Sequence, residues 1–242
     1  ELSERNVHAS SDSAYQGDLS ELLVGSLHWL ARRQQPDGGW SPENTLPSMP
    51  ATTMLVRATF GLTGLPVAYP NMADTMRSYI KSSGEYDGLK ARYGAESTAV
   101  KVVVGVTALA DIIDWNRLPP LPIETAMLDD VPSRATFWQG YGDALPAMLA
   151  LGLASHKLHK PFNPLTNWRR SRATPRVMDY LRREQQPNGS YGNSVAVTSL
   201  VVMSLASAGL TTSQVVRRGV EYLFSSVEGD SSWPGDAKAR PE

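Results

Sequence analysis

Five aspartates have a spacing or setting that would allow acid chemistry. Asp111 and Asp114 are three apart at the end of an apolar run, Asp129 and Asp130 are adjacent, and Asp143 stands before "ALPAMLALGLASH". A carboxyl group donates protons effectively when a dry setting or a like charge keeps it protonated. Asp143 meets that demand best, because it begins an otherwise apolar helix; its ordinary alternative is an acid at a helix N-terminus. Asp111 and Asp114 read as solvated charges at a helix end, and Asp129 and Asp130 fall in a proline-rich connection. His156 and His159 are interleaved with Lys157 and Lys160 and have no third ligand in view, so neither a metal nor a cofactor is expected.

The bulk properties narrow the classes further. The chain has 242 residues, 41% hydrophobic and 19% charged, with a formal charge of −1 and no cysteine. It can bury a substantial core. Disulfides, cysteine nucleophiles and thiolate-bound zinc are excluded, and no long-range attraction to nucleic acid is expected. No apolar stretch approaches the roughly 20 residues that span a bilayer. The one local asymmetry is residues 157–183, with eight cations (Lys157 to Arg183), Asp179 as the sole acid, and Phe162 and Trp168 interleaved. That composition suits either a solvated basic loop or peripheral contact with anionic headgroups. A cytoplasmic chain, with or without that contact, is the expectation.

Apolar residues recur at three- and four-residue spacing, which predicts about eight helices and an all-α fold. They cover residues 18–34, 50–65, 71–83, 96–114, 141–156, 176–186, 194–210 and 212–227. Asp18 with Glu21, and Thr211 with Gln214, have capping-box spacing. The expected layout is a polar tail over 1–17, one domain over 18–234 and a tail over 235–242. An extended connection is expected over 115–140 and a basic loop over 157–175.

These helices carry a repeat. "WLARRQQPDGGW" from Trp29 matches "YLRREQQPNGSY" from Tyr180 position by position. "YLFSSVEGDSSW" from Tyr222 is a worn third copy with Val227 in place of glutamine, and "YIKSSGEYDGL" from Tyr79 a more eroded fourth. A repeat of about 42 residues implies stacked helix pairs, none able to bury its apolar face alone. Gln34 and Gln185 sit where a helix ends and can satisfy free backbone groups there or on the next helix. Gly38 and Gly189 permit the positive φ of a sharp exit, and Trp40, Tyr191 and Trp233 can cover the turn. The motif reads as a mechanical clamp rather than an active site.

Those residues resemble the QW repeat of triterpene cyclases. Further likeness to squalene–hopene cyclase-like proteins runs through "PSMPATTMLVRA", "RYGAESTAVKV", "WNRLPPLPIETAML", "ALPAMLALG" and "VVRRGVEYLFSSV", covering most of residues 19–234. The resemblance implies an α/α-barrel, or toroid, of alternating inner and outer helices, incomplete here. It implies polyene cyclisation of squalene or a related linear isoprenoid, usually at a membrane surface. Such enzymes protonate an alkene through a D-x-D-D motif, and none is present. Asp143 is then the remaining candidate for the acid. The lineage also uses aromatic faces to stabilise carbocations, which makes Trp115, Phe137, Trp138 and Tyr141 the candidate substrate-binding residues. A cysteine-free chain does not fit the zinc-dependent prenyltransferase branch of similar barrels.

A full barrel needs about twelve helices, so the third copy is expected to leave an apolar edge. A missing segment, a partner such as a second copy, or closure into a smaller ring would cover it. Three functions follow as expectations: a cyclase-like enzyme, a non-catalytic isoprenoid- or lipid-binding barrel, and a helical scaffold for protein partners.

Overall fold

Short polar side chains start most of the helices seen in the computed structural model, which describes residues 18–64, 69, 71–127, 137–160 and 162–235. The tail expected over 1–17, nearly all of that over 235–242, and the pair Asp129 and Asp130 lie outside these residues. Among the described residues the fold is all-α, with no β-strand. The helices are α1 (Leu19–Ala31), α2 (Pro50–Thr63), α3 (Met72–Ser82), α4 (Glu85–Tyr93), α5 (Thr98–Leu109), α6 (Leu145–Leu158), α7 (Pro164–Glu184), α8 (Val195–Ser207) and α9 (Gln214–Ser225). Asp18, Ser97, Asn163, Ser194 and Ser213 each accept a hydrogen bond from a backbone N–H of the first turn they precede, which satisfies an otherwise orphaned donor. Ser213 therefore takes the capping role expected of Thr211.

Three further expectations are corrected. The fourth copy from Tyr79 is not a motif turn, because Gly84, at φ 79°, starts α4 there and the Gly88 N–H bonds back to Gly84 O at 2.8 Å. The helix expected from Tyr141 begins at Leu145, after a 3-10 turn over Gln139–Ala144. The basic stretch expected as a loop is helical from Pro164, running as α7 through Pro175. Proline inside a helix costs about 3 kcal/mol, but tertiary packing outweighs it here. Ala173, Val177 and Leu181 are fully buried on one face of α7. Arg170 Nε also holds Glu124 Oε2 at 2.7 Å, on the 3-10 turn Ile123–Met127. The expected connection over 115–140 is largely irregular where described, with short 3-10 turns.

The core forms two clusters. One gathers Trp40, Met54, Phe60, Met76, Ile80, Leu89 and Val103 from the first half; the other is built on α6 with Trp138, Val177, Leu181, Val201 and Leu205. Helix α5 belongs to both, through Val103 and Val106. A Cβ on Gly105 would lie 2.4 Å from Leu151 Cδ2, so α5 and α6 meet closely there. Leu149, Leu151 and Leu153 of α6 are wholly buried, each contributing about 1.5–3 kcal/mol.

The three motifs close their helices in one way. The terminal ring donates to the carbonyl ten residues earlier: Trp40 Nε1 to Leu30 O, Tyr191 Oη to Leu181 O and Trp233 Nε1 to Leu223 O, each at 2.8 Å. Gly38 and Gly189 make the turn at φ 87° and 90°, and Ser231 takes that place at φ 64°. Trp40 N–H then donates to Thr53 Oγ1 at 2.9 Å, and Tyr191 N–H to Thr198 Oγ1 at 3.0 Å, joining the turn to the next helix.

The glutamine reaches one helix further. Gln34 Nε2 donates to Gly38 O at 2.9 Å, to Met72 O at 3.3 Å and to Thr75 Oγ1 at 2.8 Å on α3. Gln185 Nε2 donates to Gly189 O and to Val215 O of α9, both at 2.9 Å. The third motif, with Val227 in that place, docks on α1. Ser26 Oγ lies 2.7 Å from Leu22 O and 2.8 Å from Ser231 O, bridging the same two carbonyls that the glutamines bridge. The register is common to all three. Three residues beyond Met72, Val215 and Leu22 stand Thr75, Arg218 and Gly25, where the turn residue abuts the helix. Seven residues beyond stand Tyr79, Tyr222 and Trp29, which bond back to Ser48 O, Asn193 O and Asp230 Oδ2. The edge of the third motif, expected to need a cover, is thus met by α1, although α1 still exposes Leu19, Leu23 and Val24.

Candidate functional site

Helix α5 carries a single charge, Lys101, whose side chain is only 3% exposed. A buried ammonium requires partners for its donors, and the surrounding loops supply them. Lys101 Nζ donates to Glu96 O at 3.0 Å and to Tyr141 Oη at 2.8 Å, and it pairs with Glu96 Oε2 at 3.0 Å. Burial by itself lowers the ammonium pKa, but the hydrogen bonds it donates to Tyr141 and Glu96, with the charges of those groups, outweigh it and hold the pKa above the usual lysine value. Lys101 is therefore a cation held in place by three acceptors.

The same turn assembles three of the four predicted aromatic residues. Trp138 is fully buried and donates from Nε1 to Thr125 Oγ1 at 2.8 Å. Its ring lies 5.0 Å from that of Phe137 and 5.6 Å from that of Tyr141, and Phe137 and Tyr141 are 5.9 Å apart. Trp115 sits in the 3-10 turn Trp115–Arg117, packed on the larger core cluster; among the described residues no ring contact joins it to the other three.

Lys101 changes what this cluster can do. Its ammonium lies 5.5 Å from the Phe137 ring centre and, bonded to the Tyr141 hydroxyl, 5.3 Å from the centre of that ring, so a positive charge already stands beside both rings. A carbocation brought about 5 Å from that ammonium would meet a repulsion of roughly 3 kcal/mol at an effective dielectric of 20, before the opposing pull of Glu96. The cluster is a neutralised ion pair packed among rings rather than an electron-rich wall.

The predicted acids lie elsewhere. Asp143 is exposed, in the 3-10 turn ahead of α6 rather than on the helix itself, which is not the dry setting an alkene-protonating acid needs. Asp111 is exposed at φ 55°, and Asp114 caps the turn after α5 by accepting from Asn116 N–H at 2.7 Å. His156 is buried with Nε2 3.3 Å from Ser171 Oγ, whereas His159 is exposed. Among the described residues, no three histidine, aspartate or glutamate side chains converge as metal ligands.

Open clefts flank the motifs. One of about 680 Å³ runs along the contact of the third motif with α1, lined by His28, Trp29, Arg33, Asn44 and Asp230. Another of about 410 Å³ lies where α2 and the α3–α4 junction meet the segment after α5, beside Arg57, Tyr86 and Arg117. Neither Lys101 nor Ser26 stood out in the sequence as a functional residue, although a single charge inside "TAVKVVVGV" is a visible signal of a buried partner. No family model matches the chain, and no curated protein matches it.

Proposed function

We propose that this chain is a QW-type α/α toroid of the triterpene cyclase lineage that holds a linear isoprenoid without cyclising it. The observation that carries the reading is the common register of the three motif junctions. Each turn meets its neighbouring helix three residues after the bridged carbonyl, and the third meets α1. Such a repeat, returning to its first helix, is what a ring of alternating inner and outer helices requires.

Two features favour binding over cyclisation. Asp143 is exposed, and the ammonium of Lys101 stands beside the aromatic rings, where it would repel a carbocation. An apolar chain would have to meet the half-buried Leu55, Val102, Val197 and Met203 on α2, α5 and α8, which pack against the larger core cluster. The test is incubation of the purified protein with squalene, followed by extraction and gas chromatography–mass spectrometry. Squalene retained by the protein and recovered unchanged is the expected result. Cyclised hydrocarbon would overturn the absence of cyclisation, and failure to retain squalene would overturn isoprenoid binding.

A further inference from the structure

Two guanidiniums at the end of α1 lack a counter-ion. Arg32 is exposed and Arg33 half-buried, and among the described residues neither meets a carboxylate within ion-pairing distance. Cations at a helix C-terminus commonly serve its last carbonyls, but here other groups already do so. The Arg32 N–H donates to His28 O at 3.1 Å, the Gln34 N–H to Ala31 O at 3.4 Å, and Trp40 Nε1 to Leu30 O at 2.8 Å. The Arg33 guanidinium instead lies 3.8 Å over the Trp29 ring, and that ring is fixed by its bond to Asp230 Oδ2 at 2.8 Å. A guanidinium stacked on an indole keeps its edge donors free. Their fork matches two oxygens of a carboxylate or a phosphate.

Both arginines line the cleft of about 680 Å³ that α1 and the turn after it form with the third motif. That volume is in the range of small-molecule sites and exceeds what a free ion fills. Asn44 also lines it; its Oδ1 accepts from Gln35 Nε2 at 2.7 Å, which leaves its amide nitrogen as a further donor. Asp230 is the one acid among the described lining residues. Besides the bond from Trp29 to Oδ2, its Oδ1 accepts from the N–H and the hydroxyl of Ser232 at 3.2 and 2.6 Å. Two guanidiniums therefore face a single carboxylate whose oxygens are already engaged, and the balance favours an anion. We propose that this cleft binds the oxyanion group of a small organic molecule, a phosphate ester or a carboxylate, on the paired edges of Arg32 and Arg33. An uncharged isoprenoid offers nothing to these donors, so the site stands apart from isoprenoid binding and depends only on the docking of the third motif on α1.

The test is titration of the isotope-labelled full chain with sodium phosphate, sodium acetate and sodium chloride at matched ionic strength. The reporter is the Trp29 indole N–H resonance, assigned by its loss in Trp29→Phe, because that ring touches both Arg33 and Asp230. A saturable shift with phosphate or acetate, absent with chloride, is the expected result. Saturation at lower concentration with phosphate assigns the group to a phosphate ester, and at lower concentration with acetate to a carboxylate. Arg33→Gln should weaken binding of the tighter anion at least about tenfold. Arg33→Lys should recover only part of that loss, since an ammonium keeps the charge without the fork. Arg33 also packs on Trp29, so Arg32→Gln is the second variant: it alters an exposed side chain, should leave the melting curve unchanged and should still weaken binding severalfold. The proposal is overturned if neither oxyanion gives a saturable shift, if chloride gives the same one, or if both glutamine variants bind as tightly as wild type.

Discussion

The junction of the second motif with α9 and that of the third with α1 share one geometry but not one chemistry. In the first, a buried glutamine amide uses two protons to serve two carbonyls, Gly189 O and Val215 O. In the second, the single proton of Ser26 is shared between Leu22 O and Ser231 O, and Val227 contributes nothing polar at the glutamine's place. The turn itself also differs. Gly189 lies so close to α9 that a Cβ would stand 2.1 Å from the Arg218 carbonyl oxygen, whereas at the third junction the close approach is made by Gly25 of the helix and Ser231 of the turn. A charge compensates in part. Asp230 accepts from Trp29 Nε1 at 2.8 Å, where Tyr222 in the second junction donates to the neutral Asn193 carbonyl. One backbone arrangement thus tolerates different side chains, provided the same carbonyls are served and one partner of the close contact stays small.

The largest expected effect comes from removing that smallness. Gly189→Ala places a Cβ against backbone and asks an L-residue to adopt φ 90°, so it should cost about 3 kcal/mol or more in denaturant unfolding. Next is Gln185→Ala, which removes both amide bonds, leaving the Gly189 carbonyl without this donor and Val215 O with only its helical partner, and should cost about 2–3 kcal/mol. Ser26→Ala should cost less, about 1 kcal/mol, since the shared proton serves a half-buried site. The converse substitution Val227→Gln supplies the missing amide and should raise stability by about 1 kcal/mol, with no gain if Ser26 already satisfies both carbonyls. If Ser26→Ala proves as costly as Gln185→Ala, the contrast between the junctions fails.

Smaller effects appear with pH. Hydrogen bonds from Ser232 and Trp29 hold the Asp230 carboxyl below its ordinary value of 3.8, so its contribution to the third junction is present above about that pH and is lost as acid protonates it. Asp230→Asn should remove this dependence and leave unchanged the second junction, which is joined by Gln185, Arg218 and Tyr222 rather than by a carboxylate. Hydrogen exchange of α1 against α9 across acid pH would separate the two. His156 acts in the same direction elsewhere. Burial, with the charges of Arg170 and Lys157, depresses its pKa below 6.5, so its neutral form supports the fold above that pH and the support is lost on acidification. His156→Gln should flatten melting temperature against pH between about 6.5 and 5.

The repeat was legible in the sequence because its demands are local: a glutamine, a glycine and an aromatic ring at set spacing. The return of the third motif to α1 was not, because Val227 hides the junction and the replacing hydroxyl sits some 200 residues away, in a helix whose sequence shows only "GSLHW". Helix α7 was obscured by Pro164, Pro175 and its cations, which argue locally for a loop. The deciding term was tertiary, the burial of Ala173, Val177 and Leu181 together with the Arg170–Glu124 pair. Asp143 was selected because it precedes an apolar helix, but the intervening 3-10 turn, with Gly142 at φ 49°, leaves it in solvent. Phe137, Trp138 and Tyr141 were found by their types, yet their neighbour Lys101, which decides what they can stabilise, comes from a distant helix.

The third motif docks on α1 in the register of the other two. The chain has no cysteine, so a Gly25→Cys/Ser231→Cys pair gives a direct reading. A Cβ at Gly25 lies 2.9 Å from Ser231 Cβ, near enough for a bridge that spans about 3.8 Å between Cβ atoms after a small shift. Mild oxidation should form an intramolecular disulfide at a rate independent of protein concentration, seen as faster migration on a non-reducing gel. Free thiols after oxidation, or disulfides only between chains, would contradict the closure.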